Sequence, residues 1–380
     1  MNAGCFQHRF ESGTEAADDG LGLSQYELRL RRLRGERRGV AVSNDRHPTR
    51  RCAERANATG GSWDLGLDFV VRVVPKPRQG EANVKIGLQI PSFTWPGGDA
   101  AIGPTLARIT ETADAIGFNS LWVMDHFYQI RGVGRPEEPM LEGWSALAFM
   151  AAHSKTATLG LMVGGIHYRQ AGLWAKAATT LDVLSGGRAI FGIGAAWNEE
   201  ESHGLGFPMP PLGVRFEMLE ETLQICLEMW QGEHGSEASF DGRHYQAERL
   251  LNAPQAVSKP RPRILIGGGG EQKTLRLVAK YADACNIFGG PTQLSHKFGV
   301  LSERCAEVGR PFEEIERTNL QTVDLARESV AQIVERFGTL AEVGVQQVIF
   351  SIRGISDPGI LETIGRDLLP QIRTIETAAI

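Results

Sequence analysis

The chain has 380 residues, of which 42% are hydrophobic, and its formal net charge at pH 7 is −5. Such a chain buries a large core, and the lack of a net positive charge argues against binding to nucleic acid or to an anionic membrane. No stretch reaches the roughly 18 apolar residues of a membrane span, and the five cysteines form no Cys-x-x-Cys pair, so we expect a cytoplasmic protein without a thiolate metal site.

The first 83 residues differ in composition from the rest of the chain. They include the arginine-rich stretches RLRRLRGERR and TRRCAERANATGG. No aromatic residues are interspersed with these arginines as base-stacking platforms, which argues against an RNA-binding arm. We therefore expect residues 1–83 to be a disordered leader, with an over-long reading frame as the alternative.

From Val84 onward, short apolar runs alternate with segments whose apolar residues recur at helical spacing, the pattern of repeated βα units. The predicted strands are KIGLQIP from Lys85, SLWVMDH from Ser120, TLGLMVGGI from Thr158, RAIFGIGAA from Arg188, RILIGGGG from Arg263, ACNIFGG from Ala284, ERTNLQTVDL from Glu316 and VQQVIFSI from Val345. Eight units predict an α/β fold, a (β/α)8 TIM barrel over residues 84–380.

The interval between the fourth and fifth predicted strands is longer than one helix and its loops require. Within it, ASFDGRHYQ carries an Asp-Gly turn between strand-like flanks, which is typical of a β-hairpin. The extended stretch PQAVSKPRP follows. We interpret residues 232–262 as an insertion that forms a lid or an interface element.

The stretch SLWVMDHF places Asp125 and His126 where the second strand ends. In a βα barrel the active site forms at the C-terminal ends of the strands. A carboxylate and an imidazole there can orient each other, and histidine is the side chain best suited to move a proton near pH 7. We expect His126 to be catalytic and Asp125 to orient it. A histidine that merely bonds a neighbouring backbone group is the alternative.

Glycines follow the fifth strand, and acidic residues follow the fourth. The run Gly267–Gly270 precedes a predicted helix, where bare backbone amides and the helix dipole suit a phosphate. A tight loop without a ligand is the alternative. The run Glu199–Glu201 is expected to open a helix, where carboxylates meet the positive end of the dipole.

The remaining strand ends exclude several chemistries. The first strand ends in Gln89-Ile90-Pro91, where a metal-dependent hydrolase barrel would have His-x-His. No strand end offers a Schiff-base lysine or a pair of carboxylates for glycoside cleavage. We expect no metal, and a flat, bulky ligand pressed against the backbone.

A resemblance to a known family is carried by SLWVMDHF together with four further stretches. They are LMVGGIHYRQ, TTLDVLSGGRAIFGIGAAWNEEE, PPLGVRFEMLEETL and RPRILIGGGGEQKTLRLVAKYADACN. The chain from Val84 to Ile372 resembles the luciferase-like monooxygenase superfamily, and within it the branch of oxidoreductases that use the deazaflavin coenzyme F420. The first eighty residues have no counterpart in this resemblance.

The resemblance implies roles for individual residues. His126 faces the reactive centre of the coenzyme, and Asp125 borders the ring system. Gly165–Ile166 is expected to be a non-proline cis peptide that backs the ring. Asn198 contacts the head of the coenzyme, and the glycines Gly267, Gly268, Gly269 and Gly270 form the phosphate loop.

Coenzyme F420 carries an anionic tail beyond its phosphate, which FMN lacks. Lys273 and Arg276 follow the glycine loop, and we expect them to bind the phosphate and the start of this tail. Ala195 stands where sugar-phosphate dehydrogenases of this branch have a catalytic glutamate, which argues against sugar-phosphate oxidation. His167 is either a second polar group of the pocket or a neighbour of the tight turn.

The expected function is hydride transfer between coenzyme F420 and a small-molecule substrate, by a homodimer without nucleic-acid or membrane partners. The first alternative is an FMN-dependent monooxygenase on the same barrel. The second is a flavin-binding barrel without catalytic activity, in which the histidine only orients the ring. The substrate is set by loops and by the insertion, whose geometry the sequence does not specify.

Overall fold

A computed structural model describes residues 83–380. The predicted disorder of the leader falls on residues outside this range, apart from Asn83, and stays a prediction. Among residues 83–380, no helix combines the length and apolarity needed to cross a membrane.

Eight parallel strands form a closed barrel. Each strand pairs with its neighbours in chain order, and the sheet closes because the first strand pairs with the last. The strands are β1 (Lys85–Ile90), β2 (Ser120–Val123), β3 (Thr158–Leu161), β4 (Ala189–Gly194), β5 (Arg263–Gly267), β6 (Ala284–Asn286), β7 (Glu316–Val323) and β8 (Gln347–Ile352). The predicted (β/α)8 barrel and all eight of its strands are confirmed.

Helices surround this barrel and bury the predicted apolar stripes. They are α1 (Asp99–Ile116), α2 (Gly143–Ala152), α3 (Ala171–Ser185), α4 (Glu199–Gly204), α5 (Leu212–Met229), α6 (Thr274–Tyr281), α7 (Pro291–Glu307), α8 (Val330–Glu342), α9 (Pro358–Thr363) and α10 (Leu369–Ile372). In α1, for example, Ile102, Leu106 and Ile109 are buried against the barrel. Helix α3 ends at Gly186, whose φ of 68° is readily adopted by glycine.

Two hydrophobic clusters fill the fold. Alternate residues of a strand point to opposite faces, so Leu121 and Val123 pack outward against the helices whereas Trp122 points into the barrel. Trp122 belongs to a small cluster drawn from the strands and their ends, which consists of Trp122, Met162, Ile190, Leu265, Ala284 and Ile349. The barrel interior is therefore a packed core rather than a channel.

The insertion contains the predicted hairpin. Phe240–Asp241 pairs antiparallel with Gln246–Ala247, on either side of the Asp-Gly turn. Glu221 of α5 accepts hydrogen bonds from the backbone amides of Arg243 and His244 at 2.8 and 3.0 Å. The hairpin is therefore fastened to α5, and its role as a lid or an interface stays a prediction.

Gly192 lies at a tightly packed position in β4. A Cβ atom at Gly192 would clash with the backbone carbonyl oxygen of Leu161, which cannot move without disturbing the sheet. We expect Gly192→Ala to lower stability by about 2 kcal/mol or more, as overpacking does. The thermal unfolding midpoint of the full chain measures this.

The matched control is Gly299→Ala in α7, where an added Cβ meets no atom within 4 Å outside its own stretch of helix. Alanine is the better helix former by roughly 1 kcal/mol, so this variant should be unchanged or more stable. Equal midpoints for Gly192→Ala and the unsubstituted chain would contradict the described packing of β4.

Candidate active site

The candidate residues gather at one side of the barrel mouth. Asp125 and His126 follow β2, Gly164–Gly165 pairs with the end of β4, and Asn198 lies in the loop after β4. The glycine run begins at the last residue of β5. Because β2, β3, β4 and β5 are neighbours, the structure brings these loops together as the sequence predicts.

Glu201 is the central residue of this site, although the sequence predicts only that it belongs to the run that opens α4. Its side chain is fully buried on α4. It accepts hydrogen bonds from Nδ1 of His126 at 2.5 Å, from the backbone amides of Phe127 and Tyr128 at 2.7 and 3.1 Å, and from the hydroxyl of Tyr168. Burial would raise the pKa of Glu201, but the hydrogen bonds from His126 and Tyr168 outweigh it and lower that pKa.

This carboxylate determines how His126 presents its ring. An ionised carboxylate accepts but does not donate hydrogen bonds, so Nδ1 of His126 carries the proton in its bond to Glu201. In the neutral imidazole Nε2 is then the proton acceptor. The ring of Trp197 packs edge-on against His126, with the two centroids 5.5 Å apart. The arrangement gives His126 a fixed tautomer and orientation.

The predicted partnership between Asp125 and His126 is wrong. Both carboxylate oxygens of Asp125 accept from the guanidinium of Arg169 at 2.8 Å, and Oδ2 also accepts from the amide of Gly165 at 3.1 Å. Arg169 bonds Glu142 as well, at 2.5 Å. The side chains of Asp125 and His126 therefore bond to two different networks.

The predicted position of the non-proline cis peptide is also wrong. The cis bond joins Met162 to Val163, directly after β3, and not Gly165 to Ile166. Gly164 and Gly165 continue as a short extended segment paired with Ile193 and Gly194, so the irregular backbone precedes them. The predicted contacts of Gly165 and Ile166 with a cofactor stay a prediction.

His167 belongs to a second polar group beside the first. The hydroxyl of Ser202 donates to the carbonyl oxygen of Asn198 at 2.7 Å, so it accepts from Nε2 of His167 at 2.8 Å. Within the described residues, the buried Nδ1 of His167 has no hydrogen-bond partner. Burial, together with the nearby charge of Arg215, lowers the pKa of His167 to about 4. The ring is therefore neutral near pH 7.

Arg215 holds the loop after β4 in place. Its guanidinium donates to the carbonyl oxygens of Ala195 and Ala196 at 3.1 and 2.8 Å. Ala196 has a φ of 61°, in the left-handed region that alanine rarely adopts. The buried Nε of Arg215 has no hydrogen-bond partner in the part of the chain that the structure describes.

The glycine loop offers free backbone donors. The amide of Gly268 bonds the carbonyl oxygen of Asn286 at 2.9 Å, whereas the amides of Gly269 and Gly270 donate no hydrogen bond within residues 83–380. Lys273 and Arg276 are exposed at the start of α6. The loop and both basic residues lie as the sequence predicts, and their contacts with a ligand stay predictions.

Two signals in the sequence point to the missed residues. In the short helix α4, Asn198, Glu201 and Ser202 stand three and four positions apart, so one face carries all three. That spacing distinguishes Glu201 from Glu199 and Glu200, which lie on the solvent side. For Arg169 the sequence offers only its place in the loop after β3.

Comparisons with known proteins agree with the fold. The model of the family described as luciferase-like monooxygenase matches residues 84–348. An F420-dependent glucose-6-phosphate dehydrogenase of Nakamurella multipartita is 26% identical over 284 residues, which cover 73% of this chain and 79% of that protein. The residues matched by the family model include the whole predicted site.

Two solved structures share the fold at low sequence identity. An F420-dependent secondary alcohol dehydrogenase in complex with an F420-acetone adduct has a TM-score of 0.64 and 15% identity, covering 77% of this chain and 99% of its own. The oxygenating constituent of 3,6-diketocamphane monooxygenase of Pseudomonas putida, in complex with FMN, has a TM-score of 0.61 and 16% identity, covering 78% and 100%.

The buried His167 predicts a specific pH dependence of stability. Its pKa is about 4 in the folded chain and roughly 6.5 in an unfolded one, so below pH 6.5 only the unfolded chain gains a proton. Stability is therefore lost as the pH falls from 6.5 towards 4, at up to about 1.4 kcal/mol per pH unit. His167→Gln should flatten this part of the profile, as measured by urea unfolding between pH 4.5 and 7.5.

The control for this experiment is His234→Gln, which removes an exposed histidine of the insertion. Its profile should run parallel to that of the unsubstituted chain. Parallel profiles for His167→Gln and the unsubstituted chain would contradict the assignment of a buried neutral imidazole.

Proposed function

The chain belongs to the luciferase-like monooxygenase family, and on that premise we propose that it is an oxidoreductase that transfers a hydride between coenzyme F420 and a small organic substrate. The observation that carries the proposal is the ring of His126 at the barrel mouth, held by the buried carboxylate of Glu201. The named F420-dependent relatives support it.

The residues at the mouth fit a cofactor with a flat ring and a phosphate. The unpaired amides of Gly269 and Gly270 suit phosphate oxygens. The buried and unpaired Nδ1 of His167 and Nε of Arg215 are a polar acceptor and donor that lack a partner among residues 83–380.

Most of the predicted cofactor residues have a place in this proposal. Gly165 and Asn198 would border the ring, and Lys273 with Arg276 would bind the anionic tail, whereas Asp125 and Ile166 are buried and would support the ring site from behind. When bound, the coenzyme supplies a ring carbon that accepts or gives a hydride, which is a hydrogen nucleus together with an electron pair. The chain's own residues provide position, orientation and the movement of the proton.

In the oxidation of an alcohol, Nε2 of His126 accepts the hydroxyl proton while the C–H bond loses its hydride. In the reverse direction the imidazolium returns the proton to the carbonyl oxygen. The carboxylate of Glu201 stabilises the imidazolium, and Tyr168 supports that carboxylate with its hydroxyl hydrogen bond. His126 is thus the proposed catalytic residue and Glu201 a positioning residue.

An FMN-dependent monooxygenase is the second candidate. Its specific support is the shared fold of the diketocamphane monooxygenase in complex with FMN. A ring and a phosphate are common to both cofactors, so the glycine loop alone does not distinguish them. The difference lies in the anionic tail that Lys273 and Arg276 are proposed to bind.

Binding titrations with both cofactors test this choice. We expect coenzyme F420 to bind with a micromolar or lower Kd and FMN to bind at least tenfold more weakly, a difference of about 1.4 kcal/mol. The preference should disappear in the double variant Lys273→Ala/Arg276→Ala and weaken with added salt. The double variant Lys155→Ala/Arg366→Ala, which removes two exposed positive charges elsewhere, should retain it.

Equal or tighter binding of FMN by the unsubstituted chain would favour the monooxygenase. Binding of coenzyme F420 without turnover of any secondary alcohol or ketone in a broad panel would favour a barrel without catalytic activity.

A double-variant cycle tests the roles of His126 and Glu201. His126→Ala should lower kcat by roughly two to four powers of ten with little change in cofactor Kd, the usual contribution of a positioned acid or base. Glu201→Gln should lower kcat by about tenfold or more. If Glu201 acts through His126, Glu201→Gln should cost little further in the His126→Ala background.

The matched control is Glu200→Gln, because Glu200 precedes Glu201 on α4 but pairs with the exposed Arg131 at 3.5 Å. It should leave kcat unchanged. Independent, additive losses for His126→Ala and Glu201→Gln would show that Glu201 does not act by positioning His126.

A further inference from the structure

A second part of the barrel mouth contains a cavity of about 250 Å³. It lies at the C-terminal ends of β1, β7 and β8, whereas the candidate cofactor residues follow β2 to β5. Its lining consists of Pro91, Ser92, Thr94, Trp95, Gly132, Val133, Thr322, Ser351, Ile352, Arg353, Gly354, Ile355 and Ser356. The two sites therefore occupy different halves of the same mouth.

One loop connects this cavity with the catalytic histidine. The loop after β2 carries His126, and further along it Gly132 and Val133 line the cavity. Between them, the buried side chain of Gln129 donates to the carbonyl oxygen of Pro91 at 3.0 Å. A molecule in the cavity thus contacts the loop that positions His126.

The lining of the cavity is rich in hydroxyl groups. Those of Thr322 and Ser351 lie 3.2 Å apart across β7 and β8, and Oγ of Ser92 accepts from the amide of Thr94 at 3.2 Å. Within residues 83–380 the hydroxyl of Ser356 has no hydrogen-bond partner. These groups suit the oxygen atoms of a polar ligand better than an alkyl chain.

Arg353 supplies the charge of the cavity. Among the described residues that line it, Arg353 is the single charged side chain. No carboxylate of residues 83–380 forms an ion pair with it. A guanidinium presents two parallel N–H donors that match the two oxygens of a carboxylate.

We propose that this cavity binds the substrate, and that the substrate is a small hydroxy or oxo acid whose carboxylate is bound by Arg353. The proposal rests on the proposed function, because it identifies the substrate class of the same oxidoreductase. A single cation balances a monoanionic carboxylate, whereas a dianionic phosphate would leave uncompensated charge. The volume lies below the roughly 300–1,000 Å³ of sites for drug-sized ligands, which limits the substrate to a few carbon atoms beyond the carboxylate.

Trp95 allows a binding test that needs no turnover. Its indole N–H can be observed by NMR in the full-length, ¹⁵N-labelled chain and assigned among the seven tryptophans by comparison with Trp95→Phe. The probes are 2-hydroxybutyrate, its neutral amide 2-hydroxybutyramide, and methyl phosphate. We expect 2-hydroxybutyrate to shift the Trp95 signal saturably, with a Kd at least tenfold lower than that of the amide.

Arg353→Ala should abolish this difference between acid and amide. Arg327→Ala is the matched control, because Arg327 is exposed in the loop after β7 and pairs with Asp324 outside the cavity lining. It should keep the preference for the acid. Equal binding of acid and amide, an unchanged preference in Arg353→Ala, tighter binding of methyl phosphate, or no saturable shift with any probe would each overturn the proposal.

The test separates this inference from the proposed function. It is carried out without a cofactor, so a chain that prefers FMN still shows the acid preference if Arg353 binds a carboxylate. Conversely, the chain could turn over neutral alcohols with coenzyme F420 and yet bind acid and amide equally. That result would support the proposed function and contradict the proposed substrate class.

Discussion

The buried carboxylate of Glu201 is the constraint on which the candidate site depends. A carboxylate without contact to water is costly unless donors replace its hydration, and here four donors do so. The donors come from the loop after β2 and from Tyr168 in the turn after β3, while Glu201 itself follows β4. One side chain therefore joins three neighbouring βα loops and sets the orientation of His126 among them.

A second buried carboxylate, that of Asp125, anchors the loop after β2 to a different network. Asp125 forms a two-fold hydrogen-bonded pair with Arg169, whose guanidinium also lies 4.6 Å from the ring centroid of Trp174. Adjacent residues of one loop are thus anchored to two different networks. Among residues 83–380, no side-chain hydrogen bond joins Asp125 to His126.

The barrel could be predicted from the sequence because each strand and helix carries its own pattern of apolar residues, as in KIGLQIP of β1 and the stripe of Ile102, Leu106 and Ile109 in α1. The position of His126 could be predicted as well, since strand ends follow from the same pattern. Its partner could not be assigned from proximity in sequence, because Glu201 lies 75 residues from His126 in the chain and meets it only through the packing of neighbouring loops. The inward direction of Glu201 on α4 depends on how neighbouring loops pack together, so the sequence alone did not predict it. The same holds for the position of the cis peptide at Met162–Val163.

The orientation of His126 requires that Glu201 holds it as the tautomer with its proton on Nδ1. The most direct measurement is an NMR correlation of the ring nitrogens and carbon-bound protons of His126 in the ¹⁵N-labelled chain, at a pH where the ring is neutral. We expect a protonated Nδ1 and an unprotonated Nε2. A protonated Nε2 with an unprotonated Nδ1 would contradict it, because Glu201 could then not accept the hydrogen bond on which the site is built.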